Sequence, residues 1–343
     1  MLIRLAGRIA VWQVAVAAFA LAALNGTTWA MVAAGILLGI TAIRVRGRWI
    51  DRWFLIFLRY RGRARMRRSA TALGVIAPLL DTNEYRAPGG AVAGVLTDGP
   101  DWVVVLRVDG SAASAPLVTA LRTSVDPAGP VRASTVQLVR WAVPRPADPD
   151  KTARPGTALI PAWTVDWIAV RGERAGLKTT PAAAMRLAAV LDAQGFSVHP
   201  LRENELTAEL ASSLGVAPAG GAAVTAYEGW RSLSLGRLHH ATFHLTRPPR
   251  DPARLAHALA WLAGPPSLST CVSVVFTHVP DADAGVEVSV ALRVTVPAGR
   301  SRREVRGQLR KALGPMAPHT RAMNGRHTEG ILATIPLGDS PSR

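Results

Sequence analysis

Two apolar stretches near the N-terminus constrain this chain more than any other feature. Residues 9–24 and 29–43 contain no charged side chain, and only the uncharged link 25–28 separates them. A helix that spans a bilayer needs roughly 20 apolar residues, with about 17 as the lower limit, so flanking residues would have to extend each stretch. The pattern predicts an α-helical transmembrane hairpin over residues 1–45.

Arginine flanks this hairpin on both outer sides. Residues 1–68 contain twelve arginines and one acidic residue, a net charge of +11, which leaves +6 of the chain's +17 for the other 275 residues. Because positive charge stays on the cytoplasmic side, the pattern predicts a multi-pass protein of the inner (plasma) membrane with both termini in the cytoplasm. A signal peptide and a buried hairpin of a soluble protein are the alternatives.

Residues 46–68 predict a basic amphipathic juxtamembrane helix. Its tryptophans would lie at headgroup depth and its arginines against anionic lipids. The residues expected at the membrane interface are Arg4, Arg8, Arg44, Arg46, Arg48, Trp49, Arg52, Trp53, Arg59, Tyr60 and Arg61. The alternative is that the basic segment only sets the topology and binds no specific partner.

The remainder predicts an α+β cytoplasmic domain. Residues 69–100 are rich in Ala, Gly and Pro and indicate a linker. Alternating β-branched and aromatic residues predict strand–helix–strand–strand–helix–strand over 101–202 and again over 238–338, with a connecting helix and loop at 203–237. Two interpretations stay open, namely two tandem ferredoxin-like βαββαβ units or one continuous sheet without internal duplication.

Histidines and a single cysteine are the first candidates for chemistry. His240 and His244 would share one face of a strand at a separation of about 13 Å, and His239 would face the other way. Zinc ligands must converge to about 2 Å from one point, so no metal site is expected. Cys271 begins an apolar strand and is expected to pack rather than react, and a single cysteine excludes an internal disulfide.

Asp281 and Asp283 form an Asp-x-Asp that is similar to the cation-binding motif of glycosyltransferases. Between two predicted strands, a turn explains these residues better. Phosphate-binding glycine loops and a serine nucleophile elbow are missing from the sequence. We therefore expect no enzyme and no cofactor, and keep a membrane-anchored glycosyltransferase-like enzyme as the alternative. A module that binds lipid or nucleic acid through residues 61–68 is a third hypothesis, although nucleic acid is not an expected partner because the basic charge is local.

Tryptophans supply the other large side chains of the C-terminal part. They are expected to be core residues or interface anchors, and a docking surface if several are exposed on one face. They are Trp141, Trp163, Trp167, Trp230 and Trp261.

The layout resembles the EccE family of type VII (ESX) secretion systems. The resemblance rests on the apolar hairpin, on Arg46-Gly47-Arg48-Trp49 followed by Trp53 and Arg59-Tyr60-Arg61, and on the ending Ile331-Leu332-Ala333-Thr334-Ile335-Pro336-Leu337-Gly338. It implies a non-catalytic structural subunit of the inner-membrane secretion complex that anchors a cytoplasmic scaffold domain for protein export. The implied partners are subunits of the EccB, EccC and EccD type, together with anionic membrane lipids.

Overall fold

The computed structural model divides the chain into two compact units, Met1–Arg63 and Ala64–Arg343. The structure describes residues 12–14, 16–21, 23–29, 31–33, 35–36, 44–45, 48–62, 66–69, 71–87, 90–110, 114–125, 131, 133–144, 161–172, 179–216, 223–262, 267–279, 285–298 and 319–340.

The first unit contains a short antiparallel ribbon followed by a helix. Strand β1 (Arg44–Val45) pairs with β2 (Arg48–Trp49), and helix α1 (Ile50–Gly62) follows directly. The described residues between 12 and 36 are mostly helical, and the rest of the segment before Arg44 lies outside the described residues. The basic segment predicted as one helix over residues 46–68 therefore contains a strand as well as a helix.

The predicted transmembrane hairpin is contradicted. In the part of the chain that the structure describes, no helix combines the length and the apolar composition that crossing a bilayer requires. Helix α1 has only 13 residues and includes several charged side chains, whereas a span needs at least about 17 mostly apolar residues. By this finding, the predictions of a membrane hairpin and of a multi-pass inner-membrane location are wrong.

The second unit is built on one antiparallel sheet with thirteen strands in its described part. The strands are β3 (Met66–Ser69), β4 (Leu80–Arg86), β5 (Val92–Asp98), β6 (Asp101–Val108), β7 (Thr135–Pro144), β8 (Pro161–Gly172), β9 (Val198–Pro200), β10 (Val224–Glu228), β11 (Leu233–Leu235), β12 (Leu238–Leu245), β13 (Ser269–His278), β14 (Val286–Pro297) and β15 (Thr320–Ala322). Their spatial order is β3-β10-β11-β12-β14-β13-β7-β8-β6-β5-β4, with β15 paired to β12 and β9 paired to β6.

The predicted α+β domain with ferredoxin-like units is wrong, because the sheet is continuous and dominates the fold. Strands β7 and β13 pair antiparallel over eight residues, so the two predicted units share one set of ladder hydrogen bonds. Strands β4 and β5 come from the stretch predicted as a linker, and β10 and β11 come from the stretch predicted as a connecting helix and loop. These strands widen the sheet beyond either predicted unit.

Helices cover both faces of this sheet. In the described residues of the second unit they are α2 (Ala72–Ile76), α3 (Ala115–Ser124), α4 (Thr179–Ala193), α5 (Glu203–Ser213), α6 (Pro252–Leu262) and α7 (His327–Leu332). Local signals place their starts: the Ser114 hydroxyl accepts a hydrogen bond from the Leu117 amide at the start of α3, and a proline occupies the first turn.

Two apolar cores lie on opposite faces of the sheet. The first core contains residues of α3, α4 and α6 together with strand residues such as Leu138 and Ile168. The second core contains residues of α2, α5 and α7 together with Val139 and Trp167. Since successive strand residues point to opposite faces, each central strand contributes to both cores. Near-continuous apolar strands are the sequence signature of this two-sided burial.

Candidate interaction surface

Trp141, Trp163 and Trp167 form a tryptophan cluster on the face that carries the second core. The register of β7 and β8 puts Trp141 opposite Val165, and Val139 opposite Trp167. Because side chains alternate along a strand, the three indoles project to the same side. The ring centroids of Trp141 and Trp163 lie 5.1 Å apart, edge to face, and those of Trp141 and Trp167 lie 6.2 Å apart and stacked.

Only one member of the tryptophan cluster reaches the surface. Trp163 is 52% exposed, whereas Trp141 is 8% and Trp167 is 2% exposed. Aromatic pairs in such geometries contribute about 0.5–1.5 kcal/mol beyond the area that they bury. The two buried rings therefore hold the exposed ring in a defined orientation, which lowers the entropy that a partner would have to overcome on binding.

A charged pair fixes the cluster from the side of α5. The carboxylate of Glu209 accepts one hydrogen bond from the indole Nε1 of Trp167 and another from the guanidinium of Arg107 on β6. The side chain of Arg107 is 36% exposed and that of Glu209 is 19% exposed. This pair ties α5 to the sheet and leaves a cationic group at the border of the aromatic surface.

The C-terminal segment, residues 331–338, packs across the same face of the sheet. Its buried residues are Ile331, Ala333, Thr334, Ile335, Pro336, Leu337 and Gly338. The thiol of Cys271 on β13 donates a hydrogen bond to the Thr334 carbonyl at 2.9 Å. The stretch whose sequence resembles a family ending is therefore part of the second core.

Gln137 on β7 binds the C-terminal segment through both the nitrogen and the oxygen of its side-chain amide. The Gln137 Nε2 donates toward Ser273 Oγ at 2.7 Å and toward the carbonyls of Ala333 and Ile335, each at 3.1 Å. Its Oε1 accepts a hydrogen bond from the Gly338 amide at 2.6 Å. A fully buried side chain thereby satisfies several backbone groups that the sheet ladder does not reach.

Arg171 on β8 anchors the end of the segment. Its guanidinium forms ion pairs with Asp101 at 2.6 Å, with Asp98 at 3.5 Å and with Asp339, and it donates a hydrogen bond to the Leu337 carbonyl. Burial raises the pKa of Asp339 above its ordinary value, and the charge of Arg171 opposes that rise. One arginine thus forms ion pairs with three carboxylates at this edge of the sheet.

The residues predicted at a membrane interface lie in the first unit. Strands β1 and β2 contain Arg44, Arg48 and Trp49, helix α1 contains Arg52, Trp53, Arg59, Tyr60 and Arg61, and the positions outside the described residues are Arg4, Arg8 and Arg46. Phe54 and Leu55 on α1 are 60% and 53% exposed. The role of these residues in lipid contact stays a prediction.

The candidate histidines do not converge. His239 Nδ1 lies 2.7 Å from Ser234 Oγ, and His240 Nδ1 lies 3.1 Å from Thr295 Oγ1. Adjacent strand residues such as these point to opposite faces. Among the described residues, no group of histidine, cysteine and acidic side chains could hold a metal ion.

The candidate nucleophile and the candidate cation-binding acids have different outcomes. Cys271 is buried, as its packing prediction requires, and burial raises the pKa of its thiol to about 11. Asp281 and Asp283 lie outside the described residues. Nothing observed in the described part of the chain supports the glycosyltransferase-like alternative.

Gln137 and Glu209 were missed as residues that build this surface. Gln137 interrupts an apolar strand, and a polar residue at such a position signals a buried hydrogen bond. Glu209 carries no comparable signal, because surface glutamates are common on helices. Among the other tryptophans, Trp230 is half-buried, and the side chain of Trp261 lies outside the described part.

A comparison with protein families matches residues 160–245 to the model of the EccE family, described as "Putative type VII ESX secretion system translocon, EccE". The match runs from β8 to β12 and includes Trp163, Trp167 and Glu209. It confirms the suspected EccE family and indicates a link to type VII secretion, whereas the residues on which the resemblance rested, 46–61 and 331–338, lie outside the matched range. No curated protein matches the chain.

Proposed function

We propose that this chain is a non-catalytic structural subunit of a type VII secretion complex, which binds a neighbouring subunit through the surface around Trp163. The observation that carries the proposal is the family match over residues 160–245, because these residues include the exposed Trp163 together with Trp167 and Glu209. The family is one of secretion components, so binding between subunits is the activity that a member would need to contribute.

The surface has the physical features of a binding anchor. Tryptophan and arginine are enriched among residues whose truncation costs most at protein interfaces. Trp163 presents a large apolar ring that is already held in place by Trp141, and Arg107 lies opposite Trp167, at the buried end of the tryptophan cluster. A partner that covers the ring would bury apolar area at a low ordering cost.

The proposed partners are other subunits of the secretion complex, of the EccB, EccC or EccD type. Binding to them would position the thirteen-stranded sheet as a scaffold, and the mechanism is geometry and binding free energy without a chemical step. Glu209 acts here as a positioning residue, because it accepts hydrogen bonds from Arg107 and from Trp167, which stacks on the Trp141 ring that contacts Trp163.

The test is recovery of partner subunits from detergent-solubilised cells with a tagged full-length chain. Trp163→Ala should reduce partner recovery about 30-fold, the equivalent of ~2 kcal/mol for an anchor residue. Leu79→Ala is the control, because Leu79 is an apolar side chain of the same unit that is 81% exposed and lies outside the tryptophan cluster.

Two results would count against the proposal in different ways. Unchanged recovery with Trp163→Ala would reject this surface as the docking site. Purification of the unmodified chain without any secretion subunit would reject the function itself. The melting temperature of Trp163→Ala should stay close to that of the unmodified chain, since the ring is half-exposed.

A further inference from the structure

Arg293 on β14 is fully buried in the second core, and no carboxylate among the residues that the structure describes pairs with it. It is 0% exposed, and its neighbours in the ladder are Thr242 on β12 and Cys271 on β13. Its Nη2 donates a hydrogen bond to the Ser213 carbonyl at 2.7 Å, at the end of α5. Its Nε and Nη1 have no hydrogen-bond partner among the residues that the structure describes.

Arg140, a second buried arginine of the sheet, has the carboxylate partner that Arg293 lacks among the described residues. Arg140 on β7 donates two hydrogen bonds to the carboxylate of Asp166, from Nε and from Nη2, each at 2.8 Å. Strand alternation places this pair on the face of the first core, because the flanking Val139 and Trp141 belong to the second. The carboxylate of Asp166 therefore cannot serve Arg293 on the opposite face.

The neighbours of Arg293 cannot supply a negative charge. Burial, followed by the positive charge of Arg293, lowers the pKa of His240 well below its ordinary value, so the imidazole is neutral. Burial raises the pKa of the Cys271 thiol to about 11, and the adjacent Arg293 guanidinium opposes that rise, so the thiol stays protonated and uncharged at neutral pH. The His240 Nε2 also lacks a hydrogen-bond partner among the described residues. The cluster is thus a buried cation with unused polar atoms around it.

We propose that a small inorganic monovalent anion, chloride in the first place, binds beside Arg293 and accepts hydrogen bonds from Nε and Nη1. A buried guanidinium with one carbonyl acceptor keeps an uncompensated charge, which costs several kcal/mol in a protein interior. A water molecule would satisfy the donors but would leave the charge. Because Arg293 is fully buried, a ligand larger than a single ion, such as a nucleotide, would have to displace core side chains.

Thermal unfolding of the full-length chain tests the proposal. At constant ionic strength, replacement of potassium gluconate by potassium chloride should raise the melting temperature by several degrees and then saturate, because the ion binds only the folded state. Arg293→Met removes the donors and should abolish the chloride-specific rise. Arg86→Met is the matched control, since the Arg86 side chain is 79% exposed and lies in a surface ion pair, and it should keep the rise.

A second measurement keeps the proposal testable if Arg293→Met does not fold. Crystals of the unmodified chain grown in bromide should show an anomalous peak within hydrogen-bonding distance of Arg293 Nε. An equal response of the unmodified chain to chloride and gluconate, an equal chloride response in Arg293→Met, or no bromide peak would each overturn the proposal in favour of ordered water.

Discussion

Replacement of Gln137 by alanine should detach the C-terminal segment from the sheet. The Gln137 amide contacts the Ser273 hydroxyl, two carbonyls of the segment and the Gly338 amide, all at 2.6–3.1 Å. The other side chains described at the segment bind different carbonyls, Cys271 that of Thr334 and Arg171 that of Leu337, so they do not replace these bonds. The perturbation therefore acts on one polar group at the centre of an otherwise apolar core.

The expected loss of stability follows from the backbone groups that are left without their partner. The substitution leaves the Ala333 carbonyl and the Gly338 amide unsatisfied, and each unsatisfied buried group costs about 1–3 kcal/mol. The Ile335 carbonyl keeps its hydrogen bond from the Leu337 amide at 2.8 Å. We take the lower end, because a segment near the C-terminus can move toward water. Gln137→Ala should then lower the free energy of unfolding by about 2 kcal/mol.

Urea denaturation followed by tryptophan fluorescence measures this loss, and hydrogen exchange of residues 331–338 locates it. Gln194→Ala is the matched control, because Gln194 is exposed at the end of α4, and its cost should be within about 0.5 kcal/mol. A loss below about 1 kcal/mol for Gln137→Ala, or unchanged exchange in the segment, would refute the assigned role.

Two further substitutions probe the buried charges and the thiol. Asp166→Asn removes the charge that pairs with the buried guanidinium of Arg140, and it should lower the free energy of unfolding, measured by urea denaturation, by about 3–5 kcal/mol. Glu84→Gln, in an exposed ion pair, should cost at most about 1 kcal/mol. Similar losses for the two variants would contradict the stabilising role of the Arg140–Asp166 pair. The pKa of Cys271 is about 11 in the folded chain against 9.0 for a free thiol, so the unfolded chain loses this proton first as pH rises. The stabilisation that comes from this difference in pKa is present below about pH 9 and is lost toward pH 11, so the melting temperature should fall over that range. Cys271→Ala should make the fall smaller.

Local patterns in the sequence predict many of the elements. Alternation at Trp163, Val165 and Trp167 predicts a strand, which the structure shows at Pro161–Gly172. A proline in the first turn and a glycine after the end predict the helix found at Thr179–Ala193. Such signals depend on neighbours within a few residues, so they do not depend on how the rest of the chain folds.

The arrangement of the sheet depends on contacts that no local pattern contains. The pairing of β7 with β13 joins residues more than a hundred positions apart. The sequence of an apolar strand does not indicate which other strand it will pair with. The strand β10 has only five residues, too few to show a clear period. Both facts explain why the sheet is wider than the sequence suggested.

The predicted site was incomplete for a related reason. The tryptophans were named from the sequence, but only the register of β7 against β8 shows that Trp163 lies over Trp141 and is exposed. The supports of the cluster come from α5, whose position depends on the tertiary fold. A charged residue such as Glu209 becomes informative only when its two donors are known.

The C-terminal segment and Trp163, of which only Trp163 lies in the range matched to the family, have different physical reasons for their sequence. The C-terminal segment is buried and held by Gln137, so its residues are explained by packing and need no partner. Trp163 is 52% exposed, so truncation of its ring removes less buried area than truncation of a core tryptophan. The exposed part of the ring adds little to folding, and its support by Trp141 favours a role in contact with another protein. Stability and binding should therefore separate by mutation, with Gln137 controlling the first and Trp163 the second.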